Sequence, residues 1–196
     1  RKSIKNTNKI NKKKYLNSLG LNENLKTLLV LGGSLGAIQI NEFVAKNLEF
    51  FKKNNLQVLL QCGTRYSKKY KFLDSTNIKV LPFINEMDKA FSTADIIISR
   101  SGASIISELC LVGKPVVFIP SPNVAENHQS KNARKLYNLG AAEYVEEDEV
   151  DYKLTSIISK ILVSDIYRKS LSEKIKLLSK PNATKIIYNE IKDYLR

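Results

Sequence analysis

The sequence predicts an α/β fold, a parallel sheet of about six strands with helices on both faces. Three observations predict it. Short apolar or β-branched runs recur along the chain, segments with helical spacing separate them, and several runs lead straight into glycine- or proline-bearing turns that open the next helical segment. Continuous apolar runs suit strands that are buried on both faces, as flanking helices require.

Each element follows in order. TLLVL (27–31) feeds the turn GGSLGA (32–37) and then 37–51, where Ile38, Ile40, Phe43, Val44, Leu48 and Phe51 fall at helical spacing and predict one helix. QVLLQ (57–61) and IKVL (78–81) are the second and third strands, and 86–94 reads as a helix. DIIIS (95–99) is the fourth strand and leads to a helix over 104–112. PVVFIP (115–120) is the fifth and leads to a helix over 126–140, and AEYV (142–145) is the sixth. Beyond an acidic turn, EEDEVD, the spacing is helical only, with Pro181 interrupting it before a final amphipathic helix.

Composition sets limits. At 196 residues with 43% hydrophobic content the chain suits one soluble globular domain. No run approaches the ~20 apolar residues of a membrane span. Cys62 and Cys110 lie in apolar surroundings without a CxxC or Cys/His cluster, which reads as two buried thiols of a cytosolic protein. The net charge of +13 raises nucleic acid as a partner, but lysine is spread along the whole chain. No RNP, KH, zinc-finger or helix-turn-helix pattern accompanies it, so no nucleic-acid partner is expected. The one dense block is 1–14, with seven basic residues and no acidic ones; it reads as a solvated linker or as a contact to anionic lipid headgroups. Residues 1–25 are therefore taken as a basic interdomain linker and 26–196 as the domain, its C-terminal helices at 150–196. The sequence begins at Arg1 without an apolar signal segment, which reads as excision from something longer.

In open parallel sheets ligands bind beyond the carboxyl ends of the strands. The loops there carry the candidate chemistry. In GGSLGA, Gly32, Gly33 and Gly36 permit a tight turn and close backbone approach, the following helix N-terminus favours an anion, and Ser34 adds a hydroxyl. This is either a diphosphate cradle or a tight turn alone; it matches neither GxGxxG nor a P-loop. In SRSGASIISE (99–108), Ser101, Gly102 and Ala103 open a helix with free N–H groups. Glu108 within that helix can accept from both ribose hydroxyls or can pair with Arg100 or a lysine. In PSPNVAENHQSKNA (120–133), Glu126, Asn127, His128 and Gln129 offer groups that bond sugar hydroxyls. His128 is the only histidine and no DxD-like acid pair closes a strand, so no metal and no cofactor is expected.

The order of these loops matters more than any one of them. GGSLGA, FINEM (83–87), ADIIISRSGASIISE (94–108) and GKPVVFIPSPNVAENHQSKNA (113–133) together resemble the C-terminal domain of the MurG family of glycosyltransferases, over most of the chain. The resemblance implies a Rossmann-like sheet, the C-terminal half of a GT-B glycosyltransferase, with UDP-N-acetylglucosamine as donor. The acceptor it implies is the undecaprenyl-linked muramoyl-pentapeptide of peptidoglycan, met at an anionic membrane surface, with the enzyme peripheral at the inner face of the cell membrane. By the same resemblance Ser34 and Gly36 lie on the diphosphate side, and the Ile84 backbone pairs with the uracil edge with Met87 packed nearby. The amides around Ala103, Ser104 and Ile105 cradle the α-phosphate, and Glu108 binds ribose. Gln129 reads the sugar hydroxyls, and His128 stands where some relatives have glutamine. Arg1 resembles an arginine that approaches the diphosphate. The family's N-terminal domain, with its GGTGGH-type loop and acceptor-side base, has no counterpart in this sequence. The domain is therefore expected to bind donor without completing an inverting transfer. Two other readings stand beside this one. One is a separate donor-binding subunit that docks on a membrane partner. The other is a nucleotide-sugar epimerase or a dinucleotide oxidoreductase, for which the acid expected at the end of the second strand is replaced by Gln61-Cys62-Gly63.

Overall fold

The computed structural model describes residues 11–194. Among them six strands form one sheet, all of whose neighbours are parallel, in the order β3-β2-β1-β4-β5-β6. The strands are β1 (Lys26–Leu31), β2 (Leu56–Gln61), β3 (Ile78–Leu81), β4 (Ile96–Ser99), β5 (Val116–Phe118) and β6 (Glu143–Tyr144). The apolar runs predict this parallel sheet with helices on both faces, and its doubly wound order is the Rossmann-like form that the resemblance implies.

Burial follows the strand period of two. Leu28 and Val30 of β1 face a core shared with Ile40, Phe43 and Val44 of α2 (Ile38–Lys46), Phe51 of α3 (Leu48–Lys53) and Leu154, Ile158 and Ile161 of α8 (Val150–Val163). Leu29 and Leu31 face the opposite core, with Tyr15 and Leu16 of α1 (Lys12–Ser18), Phe91 of α5 (Met87–Thr93), Leu109 of α6 (Ala103–Val112) and Leu136 of α7 (His128–Asn138). Cys62 belongs to the first core and Cys110 to the second. Both are free thiols, and burial pushes both above the usual cysteine range.

Three stretches differ from the sequence expectation. The single helix expected over 37–51 is two, α2 and α3, divided at Asn47, whose side-chain Nδ2 donates to the Phe43 carbonyl at 2.8 Å. An asparagine that bonds backbone locally competes with the helical ladder, which explains the break. The helix expected from 126 begins at His128, because Glu126 and Asn127 adopt positive φ values of 54° and 53°. Within the segment read as linker, α1 packs on the domain through Tyr15 and Leu16, and Leu21 is buried after it. The C-terminal helices are α8, α9 (Asp165–Leu177) and α10 (Ala183–Tyr194), with Pro181 between the last two. A short helix, α4 (Ser67–Tyr70), lies between β2 and β3. No helix among the described residues is long and apolar enough to cross a membrane.

Candidate functional site

The strand order places the site. From β1 the chain winds outward through β2 and β3, then crosses back to β4 and winds the other way, so the loops after β1 and β4 diverge and leave a crevice. The register aligns Leu31 with Gln61 on one side and with Ser99 on the other. These three strand-end residues form the floor of a cavity of about 310 Å³ that is also lined by Gly33, Ser34, Phe83, Met87, Arg100, Ser104, Ile105 and Glu108.

The wall after β1 is a turn held from behind. Gly36 has φ +85°, and a Cβ there would stand 2.2 Å from the Cys62 carbonyl oxygen. Gly63 has φ +87°, and a Cβ there would stand 2.2 Å from the Gly36 nitrogen. The two loops therefore meet backbone to backbone, which requires glycine on both sides. Thr64 N–H donates to the Ser34 carbonyl at 3.2 Å, and buried Asn41 donates from Nδ2 to the Cys62 carbonyl at 2.9 Å. Ser34 is left exposed at the cavity, its hydroxyl without a partner among the described residues.

The wall after β4 is the start of α6. Gly102 caps it in extended backbone without a side-chain bond, and the first helical bond runs from Ile106 N–H to the Gly102 carbonyl at 3.1 Å. The amides of Ala103, Ser104 and Ile105 thus precede the ladder and are open to an anion. Glu108 stands farther along the same helix and lines the cavity. Arg100 donates from Nη1 to the carbonyls of Ile119 (3.1 Å) and Pro120 (2.8 Å), and from Nη2 to Glu147. With side-chain exposures of 17% and 16%, this pair joins the ends of β4 and β5 to the turn before α8.

The loop after β5 supports the site more than it lines it. Gln129 accepts at Oε1 from Ser101 N–H (3.3 Å) and Ser121 N–H (3.0 Å), and its carbonyl accepts from Ser101 Oγ at 2.9 Å. Its carboxamide oxygen is committed to backbone, and Gln129 does not line the cavity. His128 is exposed, with Nδ1 against the Ala125 carbonyl at 2.9 Å, and does not line the cavity.

The structure therefore brings Ser34, Met87, Ser104, Ile105 and Glu108 to one cavity. Gly36 shapes the turn behind it, and Ala103 contributes its amide while its side chain faces a second groove of about 430 Å³ between α6 and α7. That groove is larger but holds no carboxylate and no strand end. Ile84 is buried in the core at 1% exposure, and its N–H donates to Gln61 Oε1 at 3.1 Å. Arg1 lies outside the described residues. Sequence reasoning missed Gln61, Gly63 and the bridging role of Arg100. A glutamine closing a strand buried on both faces was the available signal for the first.

Comparison with known proteins gives a consistent result. Residues 27–187 match the Glycosyltransferase family 28 C-terminal domain. The chain is 47% identical over 172 residues to the UDP-N-acetylglucosamine--N-acetylmuramyl-(pentapeptide) pyrophosphoryl-undecaprenol N-acetylglucosamine transferase of Flavobacterium psychrophilum, covering 87% of this chain and 47% of that protein. To the protein of the same description from Christiangramia forsetii it is 45% identical over 171 residues, covering 87% and 47%. The crystal structure of Acinetobacter baumannii MurG superposes with a TM-score of 0.75 at 30% identity, over 88% of this chain and 51% of that one. The chain spans about half the length of the curated relatives it matches.

Proposed function

Because this chain belongs to the glycosyltransferase family 28 C-terminal domains, we propose that it binds UDP-N-acetylglucosamine as the donor domain of a transferase that adds N-acetylglucosamine to a lipid-linked muramoyl-pentapeptide. One observation carries the reading: a single cavity at the switch point of the sheet gathers open helix amides, a serine hydroxyl, a carboxylate and an apolar wall. Each suits one part of a nucleotide sugar. The amides of 103–105 and Ser34 hold the diphosphate, Glu108 accepts from the ribose hydroxyls, and Phe83 and Met87 border the base. Gln129 Nε2 and His128 are the groups nearest in sequence to reach the sugar, and Arg1 is assigned to the diphosphate.

In the mechanism we propose, an acceptor hydroxyl attacks the anomeric carbon with inversion, and the bond from that carbon to the β-phosphate oxygen breaks. Negative charge then grows on the leaving diphosphate, where fixed amides at a helix N-terminus stabilise it without reorganising. The base for the acceptor proton is assigned outside the described residues, since the chain's one histidine does not line the cavity. In this scheme the reaction takes place at the inner face of the membrane, and the net positive charge of the 1–14 block favours anionic headgroups. Metal is not required in this scheme, because the amides already face the diphosphate.

Titration calorimetry tests this. UDP-N-acetylglucosamine is expected to bind more tightly than UDP-glucose or UDP-N-acetylgalactosamine, with the same affinity in EDTA. Lost affinity on chelation would remove the metal-free scheme, and no binding of any uridine nucleotide would remove the donor reading.

A further inference from the structure

The connection from β2 to β3 carries four basic residues, Arg65, Lys68, Lys69 and Lys71, and no acidic one from Thr64 to Leu73. All four are exposed. Lys69 is balanced by Glu42, whose Oε1 accepts from its Nζ at 2.9 Å and from the Tyr70 hydroxyl at 3.1 Å. The next carboxylate along the chain, Asp74, is held by Lys79 at 3.0 Å. Arg65, Lys68 and Lys71 pair with no carboxylate among the described residues. Phe72, 72% exposed, stands beside these cations, although Tyr70 and Leu73 around it are buried. Leu35, also 72% exposed, lies where the segment begins, because Thr64 N–H donates to the Ser34 carbonyl at 3.2 Å and Gly63 abuts the Leu35 backbone.

A single exposed apolar side chain is ordinary on a protein surface. Two of them bracketing unpaired cations match a partner that is anionic at its surface and apolar beneath, which is a bilayer with anionic headgroups. Long basic side chains reach the phosphates while an aromatic or aliphatic group enters the boundary with the acyl chains. Single-stranded nucleic acid also offers phosphates, but its bases need aromatic faces in succession. Here Tyr70 is buried, and half-buried Tyr66 sets its ring edge-on to Tyr70 at 6.3 Å with the Arg65 guanidinium over it at 5.9 Å. Phe72 is the one exposed ring of the segment, a wedge and not a stacking platform.

We propose that residues 64–72, together with Leu35, form a bilayer-docking surface on this domain: Arg65, Lys68 and Lys71 take anionic phospholipid headgroups, and Phe72 seats among the upper acyl chains. The surface is separate in sequence from the basic block at 1–14. The GGSLGA turn belongs to both the surface and the cavity, since Ser34 lines the cavity and Leu35 follows it outside. Docking therefore brings the mouth of the cavity to the bilayer, where a lipid-linked acceptor would be met. That use of the surface rests on the function proposed above; the surface itself rests on its charge and exposure.

The full chain has no tryptophan, so Phe72→Trp places a single reporter on the surface. With vesicles of phosphatidylglycerol and phosphatidylcholine its emission is expected to move to shorter wavelength and to be quenched by brominated acyl chains, with neither change on phosphatidylcholine alone. Tyr137→Trp is the control, because Tyr137 is exposed on α7 against Tyr144 of β6, at the opposite edge of the sheet from β3. Its emission is expected to stay constant. Arg65→Gln combined with Lys68→Gln is expected to weaken partition into the anionic vesicles about 10-fold in co-sedimentation, with melting temperature and UDP affinity unchanged. Should Phe72→Trp fail to fold, Leu35→Trp takes its place with the same expectation. No shift at the reporter, an equal shift at position 137, or unchanged partition of the folded double variant overturns the surface. A reporter that responds to a single-stranded oligoribonucleotide and not to vesicles also overturns it and reassigns the cations to nucleic acid. UDP titration beside each assay separates the two readings: a chain that binds UDP without docking loses the surface alone, and one that docks without binding UDP loses the donor reading alone.

Discussion

β2 carries a glutamine near each end, and the two are used in opposite ways. At the amino end Gln57 is fully buried and complete: Oε1 accepts from Asn22 N–H (2.9 Å), while Nε2 donates to the Asn22 carbonyl (2.7 Å) and to Thr27 Oγ1 (2.9 Å). The neighbouring carboxylate at that edge, Asp95, accepts from Thr27 N–H at 2.8 Å and from Lys12 Nζ at 3.4 Å. At the carboxyl end Gln61 is bonded on one atom only, beside the open amides of α6 and the Ser34 hydroxyl. The same residue type, four positions apart, closes one edge of the sheet and leaves the other edge unfinished. Within β2, the glutamine bonded on one atom only stands at the edge that carries the cavity.

If the two edges differ in this way, changes at the amino edge should move stability, and changes at the carboxyl edge should move binding. The largest effect is expected for Gln57→Ala, which strands the Asn22 and Thr27 groups. Urea denaturation should show a loss of about 3 kcal/mol, with UDP affinity unaltered in the folded fraction. A loss of affinity at unchanged stability would break the comparison.

Glu108→Ala is expected to do the reverse, weakening UDP binding by about 1–3 kcal/mol in calorimetry. Its melting temperature should hold close to wild type, as for a change away from the core. Unchanged affinity would detach Glu108 from the ribose.

The smallest effect is expected at Lys114, on the link between α6 and β5. Burial holds this lysine below its ordinary value of 10.5, with Asp95 opposing the shift. The unfolded chain therefore keeps its proton to higher pH than the folded one, and stability attributable to Lys114 rises with pH toward 10.5. Lys114→Met should add about 1 kcal/mol at pH 7 and flatten that rise, read from melting curves at neutral and alkaline pH against wild type. A variant less stable at neutral pH would mean that the Asp95 attraction outweighs the burial.

Much of this was legible in the sequence, for physical reasons. Strands buried on both faces must be largely apolar, so β1, β2, β4 and β5 announced themselves, while β3 and β6, partly exposed, were legible from shorter runs. The loops at their carboxyl ends are short, which confines Ser34, Ser104 and Glu108 to one neighbourhood once the sheet is parallel. What was not legible depends on contacts between distant residues. Nothing local to His128 says that Glu126 and Asn127 turn to positive φ and leave the ring outside the cavity. Nothing local to Gln129 says that its oxygen is bonded to Ser101 and Ser121. Gln61 was read only for the acid it replaces, since its bond to Ile84 spans 23 positions. The break at Asn47 was a local signal that the apolar spacing masked.

The facing glycines, Gly36 and Gly63, have a bearing on how this domain can be re-engineered. A Cβ on Gly63 would strike Gly36 and one on Gly36 would strike the Cys62 carbonyl, so neither turn has an independent shape to vary. Grafting the GGSLGA turn of one homologue onto another will transplant cleanly only together with the QCG turn that fits it. A library that randomises one turn at a time will be depleted at these positions before any substrate is offered. The unit of exchange, for the engineer as for recombination, is the interlocked pair of turns.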